Sequence, residues 1–392
     1  VKEKFKIHRW DTQVVIAEVE AESLKEGIEK LVAQDVNLDC ARLDCVSLDG
    51  ASLDGASLDG ASLVCASLDG ASLDGASLVG ARLVGASLDG ASLDGATLDG
   101  ASLVGARLDC ASLDGARLVG ASLVGASLVG ARLDGARLDG ASLVGASLDS
   151  ARLDGASLDG ARLDGASLVG ARLDCASLDG ARLVGASLVG ASLDCASLDG
   201  ASLDGARLDG ARLDGARLVG ASLDCASLDG ASLDGARLDC ASLDGASLVG
   251  ARLDGARLDG ARLDCASLVG ASLVGASLNG ASLEFFKNDL WNVLLHVPHE
   301  IHGLALALKE GRVDGSVYQG ECACLVGTIA NLRGCNYSQL PELRPDSSRP
   351  AEQWFMSIRK GDTAESSVVV KLTLEWIQDF YNLIGQYAQQ KS

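Results

Sequence analysis

His296, His299 and His302 recur every three residues, and Cys322, Cys324 and Cys335 follow within the next forty. Imidazole and thiolate are the usual ligands of zinc, so a metal site could draw on both groups. The spacing opposes it: no CxxC pair occurs, and His299-Glu300-Ile301-His302 is one residue short of HExxH, whose histidines must stand a full helical turn apart. Polar helix residues are the competing reading for the histidines. Cys322 or Cys324 beside one of these histidines would be the matching nucleophile, whereas the run Cys324-Leu325-Val326 reads as a buried small hydrophobe. The stretches GRVDG and KGDT are turn or cap sequences, for neither has the spacing of a phosphate loop. No catalytic residue and no cofactor is expected, and the chain reads as non-enzymatic.

The element that must position everything else is a repeat. From Val36 to Phe285 one five-residue unit, written ASLDG, ARLDG or ASLVG, recurs fifty times in a single register with leucine in every third place. Leucine and the alanine two residues earlier are the only places that stay apolar. Residues two apart lie on one side of an extended strand, so each unit turns leucine and alanine inward and its second and fourth residues outward. A helix would need apolar spacings of three and four, which a strict five does not supply. One short strand cannot bury its leucine alone, so the units must wind into a coil that stacks on itself.

With a small residue, a polar one, leucine, a polar one and glycine in each unit, the sequence resembles the pentapeptide-repeat family. The resemblance implies a mainly β fold, a right-handed quadrilateral β-helix with four units and twenty residues per coil. Fifty units then make about twelve and a half coils, roughly 60 Å at the usual strand spacing. Cysteine replaces the fifth-place glycine at Cys40, Cys45, Cys65, Cys110, Cys175, Cys195, Cys225, Cys240 and Cys265, and serine does so at Ser150. Cysteine is a poor substitute where the backbone must be left-handed. The fifth place is therefore read as a corner that needs only a small side chain.

Composition divides the chain at about residues 35 and 285, into an N-terminal part (1–35), the repeat (36–285) and a C-terminal part (286–392). Of the net charge of −21, the repeat carries −17, from 17 Arg against 33 Asp and Glu284. No apolar signal segment stands at Val1-Lys2-Glu3-Lys4-Phe5 and no run is long enough to span a membrane, so free thiols in a cytoplasm are expected. Cys45 with Cys65, and Cys175 with Cys195, lie one coil apart and should stack, within the range a disulfide can bridge.

Lys4 to Trp10 and Gln13 to Glu20 alternate as two strands around Asp11-Thr12. Ser23 with Glu26 forms a capping box, and Leu24, Ile28, Leu31 and Val32 a helical stripe, so a hairpin and helix should cover the first coil. Beyond the repeat, Phe286, Leu290, Val293 and Leu294 fit a helix, and Pro298 opens a second ending near Gly311. A turn follows between Val313 and Tyr318, then a helix over Cys324–Leu332. Another helix runs from Ser348 or Pro350 to about Lys360. The last, from Ala364 to about Ala388, is capped by Asp362 and Glu365 and carries Val368, Leu372, Trp376 and Phe380 on one face. The stretches PHEIHGLALAL, GRVDGSVYQGECACLVGTIANLRGC and PDSSRPAEQWF resemble a module that follows pentapeptide repeats in phage and prophage proteins.

Sorting the fourth places by a period of twenty gives two unequal columns. One reads Asp54, Asp74, Asp94, Asp114, Asp134, Asp154, Asp174, Asp194, Asp214, Asp234 and Asp254; another carries Val64, Val84, Val104, Val124 and Val144. An apolar side facing away from an acidic one could dock a protein partner, and drift at solvent-facing places fits as well. Some members of the family imitate duplex DNA and thereby modulate DNA gyrase, so the resemblance implies a second reading: a DNA mimic acting on a topoisomerase or another DNA-binding enzyme. Duplex DNA carries one charge per about 1.7 Å, about twice the density available here. Direct nucleic-acid binding is not expected, since like charge repels the phosphates, and no membrane partner is expected either.

Overall fold

The structure, a computed structural model, describes residues 2–317, 323–340, 343–346 and 349–390, with backbone alone at 385–390. Tyr318, Cys322 and Ser348 lie outside the described residues. The chain divides into two compact units, Val1–Arg212 and Leu213–Ser392.

The first unit opens with an antiparallel hairpin of β1 (Glu3–His8) and β2 (Val15–Ala21), in register Lys4↔Glu20. Helix α1 (Leu24–Val32) follows, its first turn held by the Ser23 hydroxyl, which accepts from the Glu26 N–H at 3.2 Å. Its buried residues are Gly27, Ile28 and Leu31. Gly27 permits the close approach, since a Cβ there would stand 2.8 Å from Val19 Cγ1.

Coils of twenty residues follow. Second places pair in parallel at that interval, Ser52↔Ser72↔Ser92 for example. The third-place N–H donates to the second-place carbonyl of the next coil (Leu63 to Arg82, 2.7 Å), and the fifth-place N–H to its fourth-place carbonyl (Gly70 to Asp89, 2.9 Å). The second-place N–H donates back one coil (Ser72 to Ala51, 2.8 Å), and the first-place N–H closes the turn (Ala76 to Leu73, 3.0 Å). The third-place leucines from Leu38 to Leu283 are at most 6% exposed. Each contributes about 1.5–3 kcal/mol of hydrophobic gain before chain entropy is subtracted.

A first coil has no coil beneath it to receive those backward bonds. The N-terminal elements supply substitutes: His8 O accepts from the Arg42 N–H at 2.7 Å, and Glu29 Oε1 from the Ser52 N–H at 3.0 Å. Trp10 Nε1 donates to Gly60 O at 2.7 Å and Lys25 Nζ to Asp49 O at 2.6 Å. An otherwise open strand edge is thereby covered.

The fifth place departs from the reading given above. Its backbone is left-handed at glycine and non-glycine alike, with φ of +59° at Cys110, +59° at Ser150 and +60° at Cys195. The turn geometry sets the conformation, and cysteine and serine accept it at a cost of about 1–2 kcal/mol each.

In the second unit the same ladder runs from Arg217↔Arg237 to Arg262↔Ser282. Helices then take over: α2 (Glu284–His296), α3 (Ile301–Lys309), α4 (Leu325–Arg333), a 3₁₀ turn at Tyr337–Gln339, α5 (Pro350–Phe355) and α6 (Val368–Gln390). Phe286, Leu290, Val293 and Leu294 are all buried, as the stripe requires. Trp354 lies at the centre of the helical core, with its ring centroid 5.4 Å from Phe286 and 4.8 Å from Trp376. Its Nε1 donates to Thr373 Oγ1 at 2.8 Å, and Trp291 Nε1 donates to Trp376 O at 2.9 Å.

Three helix boundaries differ from expectation. Helix α3 begins at Ile301, with Pro298 in the preceding turn. Helix α5 stops at Phe355 rather than near Lys360, because Gly315 N–H takes the Ile358 carbonyl (3.0 Å) and Gly361 N–H takes the Gly311 carbonyl (2.9 Å). Helix α6 starts at Val368. Asp362 accepts instead from the Arg359 N–H (2.8 Å), and the buried face runs through Val369, Thr373, Trp376, Ile377 and Phe380, with Val368 and Leu372 only half-buried.

Candidate functional site

Of the five backbone N–H groups in a unit, the fourth has no backbone acceptor among the described residues. Where the residue one coil earlier is aspartate, its Oδ1 is the usual acceptor; Asp164 and Asp239 are exceptions, with an Oδ1 that is buried and takes no hydrogen bond among the described residues. Asp94 Oδ1 accepts from the Asp114 N–H at 2.9 Å and from the Ser112 hydroxyl at 2.5 Å, and Asp74 Oδ1 does the same for Asp94 (3.0 Å) and Ser92 (2.5 Å). Some second-place arginines take the other carboxylate oxygen of that aspartate, as Arg152 does on Asp134 at 2.6 Å and Arg172 on Asp154 at 2.8 Å, while others, such as Arg137 on Asp139, pair within their own unit. The outward aspartates therefore carry a second ladder that ties each coil to the next. Serine hydroxyl bonds, from Ser67 to Asp49 and from Ser277 to Asp259, together with backbone N–H groups, hold both carboxyls below their ordinary range.

Every member of the Asp54–Asp254 column that falls in one unit stands in this arrangement or pairs with arginine, as Asp114 does with Arg132. Positional sorting alone showed the column but not what its carboxylates bind. The signal was present, since Asp in the fourth place and Ser in the second recur eighteen residues apart.

Valine cannot accept. The column Val64, Val84, Val104, Val124 and Val144 therefore leaves the N–H groups of Val84, Val104, Val124, Val144 and Asp164 with no acceptor among the described residues, while Val64 N–H still reaches Asp44 Oδ1 at 3.2 Å. Val104 and Val124 are 36% and 37% exposed, and Val129 adds 38% on the next side.

The histidine and cysteine candidates do not assemble. His296, His299 and His302 are exposed, with His296 Nδ1 bonded to Asn292 O at 2.8 Å. Cys324 is buried, and burial pushes its thiol up to about 11, the wrong direction for a nucleophile. Cys335 is half-buried, and among the described residues no group of three metal-ligating side chains occurs. The sequence reading missed one feature: an apolar groove of about 540 Å³ between α2 and α6, lined by Trp291, Leu295, Phe380, Leu383 and Ile384. Leu295 is 61% exposed, a position the helical stripe places opposite the buried face.

Leucine-filled coils with a twenty-residue period and no enclosed reaction centre among the described residues define a β-solenoid. Eight copies of the pentapeptide-repeat motif match within residues 41–239 and 241–280. The chain belongs to the pentapeptide-repeat family. Among solved structures it is similar to HetL, a pentapeptide repeat protein involved in heterocyst differentiation regulation from the cyanobacterium Nostoc, at 39% identity over 50% of this chain and 87% of that one (TM-score 0.49). It is similar also to Rfr23 from the cyanobacterium Cyanothece, at 36% identity over 23% and 58% (TM-score 0.20). Full-length QnrB1, a plasmid-mediated fluoroquinolone resistance protein, matches at 20% identity over 50% and 96% (TM-score 0.29). No curated protein sequence gives a significant match. Among the described residues, no helix is long and apolar enough to cross a membrane.

Proposed function

We propose that the chain is a non-enzymatic protein-binding scaffold whose Val64–Val144 column docks a protein partner and whose part 286–392 adds recognition of its own. The valine column carries this reading. On one side of five successive coils valine stands where aspartate would accept the next coil's N–H, and methyl groups are presented in its place. A loss of stability concentrated on one side is the pattern expected where function opposes stability. The finer division into a hairpin-helix cap (1–35), a right-handed repeat (36–285) and a helical end (286–392), and a phage or prophage setting in a cytoplasm, belong to the same proposal.

The test is a pull-down with the whole chain, with a chain lacking residues 286–392, and with Val104→Asp/Val124→Asp. Loss of partners from the double variant, with its melting temperature unchanged or raised, supports docking on the valines. Partners retained by the double variant and lost with the truncation would move recognition to the helical end. The net charge of −21 supports a second reading, DNA mimicry aimed at a topoisomerase or another DNA-binding enzyme. Arginines paired onto the aspartates, such as Arg172 on Asp154, weaken that field. A supercoiling assay unchanged at micromolar protein would discard the second reading.

A further inference from the structure

Eleven described cysteines are free, nine of them in fifth places. Five of those nine sulfurs lean toward a glycine in the next coil. A Cβ built on that glycine would stand 3.3 Å from Cys40 Sγ, 3.6 Å from Cys65 Sγ, 3.6 Å from Cys110 Sγ, 3.5 Å from Cys225 Sγ and 3.4 Å from Cys240 Sγ. At two places in the first unit the residue above is itself cysteine: Cys65 above Cys45 and Cys195 above Cys175. The coils are in register there, for Cys45 N–H donates to Val64 O and Cys175 N–H to Asp194 O, both at 2.9 Å. All four thiols are exposed.

We infer that Cys45–Cys65 and Cys175–Cys195 are two dithiol sites that close into inter-coil disulfides by exchange with a small-molecule disulfide, whereas the isolated fifth-place cysteines stop at mixed disulfides. Strands in register stand roughly 4.8 Å apart, inside the 4.4–6.8 Å Cα range of a disulfide. The upper sulfur, which at Cys65 leans toward Gly85, turns about its Cα–Cβ bond to meet the one below. In the first step a thiolate of the pair attacks oxidised glutathione, the glutathione S–S bond breaks, and one glutathione thiolate leaves. In the second, the other thiolate attacks the mixed disulfide, the new inter-coil S–S bond forms and a second glutathione leaves. Two protons pass to solvent, and the two electrons end on glutathione. Cys110, Cys225 and Cys240 have glycine above and below, so the second step has no partner.

The experiment treats the folded full-length chain with oxidised glutathione, alkylates the remaining thiols, and digests the monomeric chain with trypsin. Peptide 43–82 should lose two hydrogens and carry no glutathione, and peptide 173–182 should appear linked to peptide 183–207. Cys110, in a peptide of the same sequence as 173–182, should carry one glutathione. In Cys195→Gly, which restores the commonest fifth-place residue, the glutathione-bearing decapeptide should double in amount, since Cys175 then joins Cys110 in supplying it. In Cys175→Gly the linked peptide should vanish although Cys110 still supplies the identical decapeptide. Separate glutathiones on all four paired cysteines, or a linked peptide persisting in Cys175→Gly, would overturn the inference.

Discussion

A fourth-place aspartate has two roles, and Asp94 separates them. Its Oδ1 serves the next coil, while the rest of the carboxylate faces solvent. Replacing Asp94 by alanine strands the Asp114 N–H and the Ser112 hydroxyl, at a cost of about 1–2 kcal/mol. Asp94→Asn keeps an acceptor and should lose less than half of that; chemical denaturation of the two variants measures the difference. The converse holds at a left-handed fifth place. Cys110→Gly should raise stability by about 0.5–1 kcal/mol, because glycine takes φ of +59° without the Cβ penalty. The sequence hid this point. Frequent cysteine there suggested that the backbone was ordinary, when in fact four backbone hydrogen bonds per unit, one closing the turn and three to neighbouring coils, override the local preference of one residue.

At the scale of elements, acid tests the aspartate ladder and truncation tests the helical core. Asp49 and Asp259 hold their protons less tightly in the folded chain than an unfolded aspartate does, mainly through the Ser67 and Ser277 hydroxyls. The unfolded state therefore takes up protons first as pH falls. Stability from these groups is complete above the unfolded value of about 3.9 and is lost as pH drops through the lower folded value. A melting temperature that stays level above about pH 5 and falls below about pH 4 is the expected profile. In the helical part, Trp354→Ala should cost about 3–5 kcal/mol, read by denaturant unfolding, since the ring is 1% exposed between Phe286 and Trp376. Periodicity located α1 and α2 to within a few residues, because their apolar stripes are also their buried faces, and alternation located the hairpin. It misjudged the end of α5, where Gly315 N–H takes the Ile358 carbonyl from a distant segment that no local pattern reveals, and the starts of α3 and α6. In the candidate site, the columns could be read from residue numbers alone. What the aspartates bind could not, since it depends on a contact eighteen residues away.

For the chain as a whole, near-identical units make length a separable variable. Stability of stacked repeats is close to a sum of neighbouring interfaces. Deleting residues 97–116 removes one complete coil and keeps every column in line, so the β circular dichroism should persist with a small fall in melting temperature. Deleting residues 97–106 removes half a coil and carries the residues after it to the opposite side, bringing Asp114 above Val84 rather than Asp94. The Val column would then be cut short, and partner capture should fall well below that of the twenty-residue deletion. Removal of residues 1–35 exposes the Arg42 and Ser52 N–H groups that His8 and Glu29 receive, and should lead to aggregation visible by light scattering.

The twenty-residue bridge interval has one more consequence. Gaining a single pentapeptide turns all downstream faces of that unit through a quarter revolution with almost no gain in reach, whereas gaining four extends reach by about 4.8 Å with no rotation. Bearing and distance can thus be adjusted separately by copying alone, and a lineage that copies units in fours would change how far its binding surface extends without changing where it points.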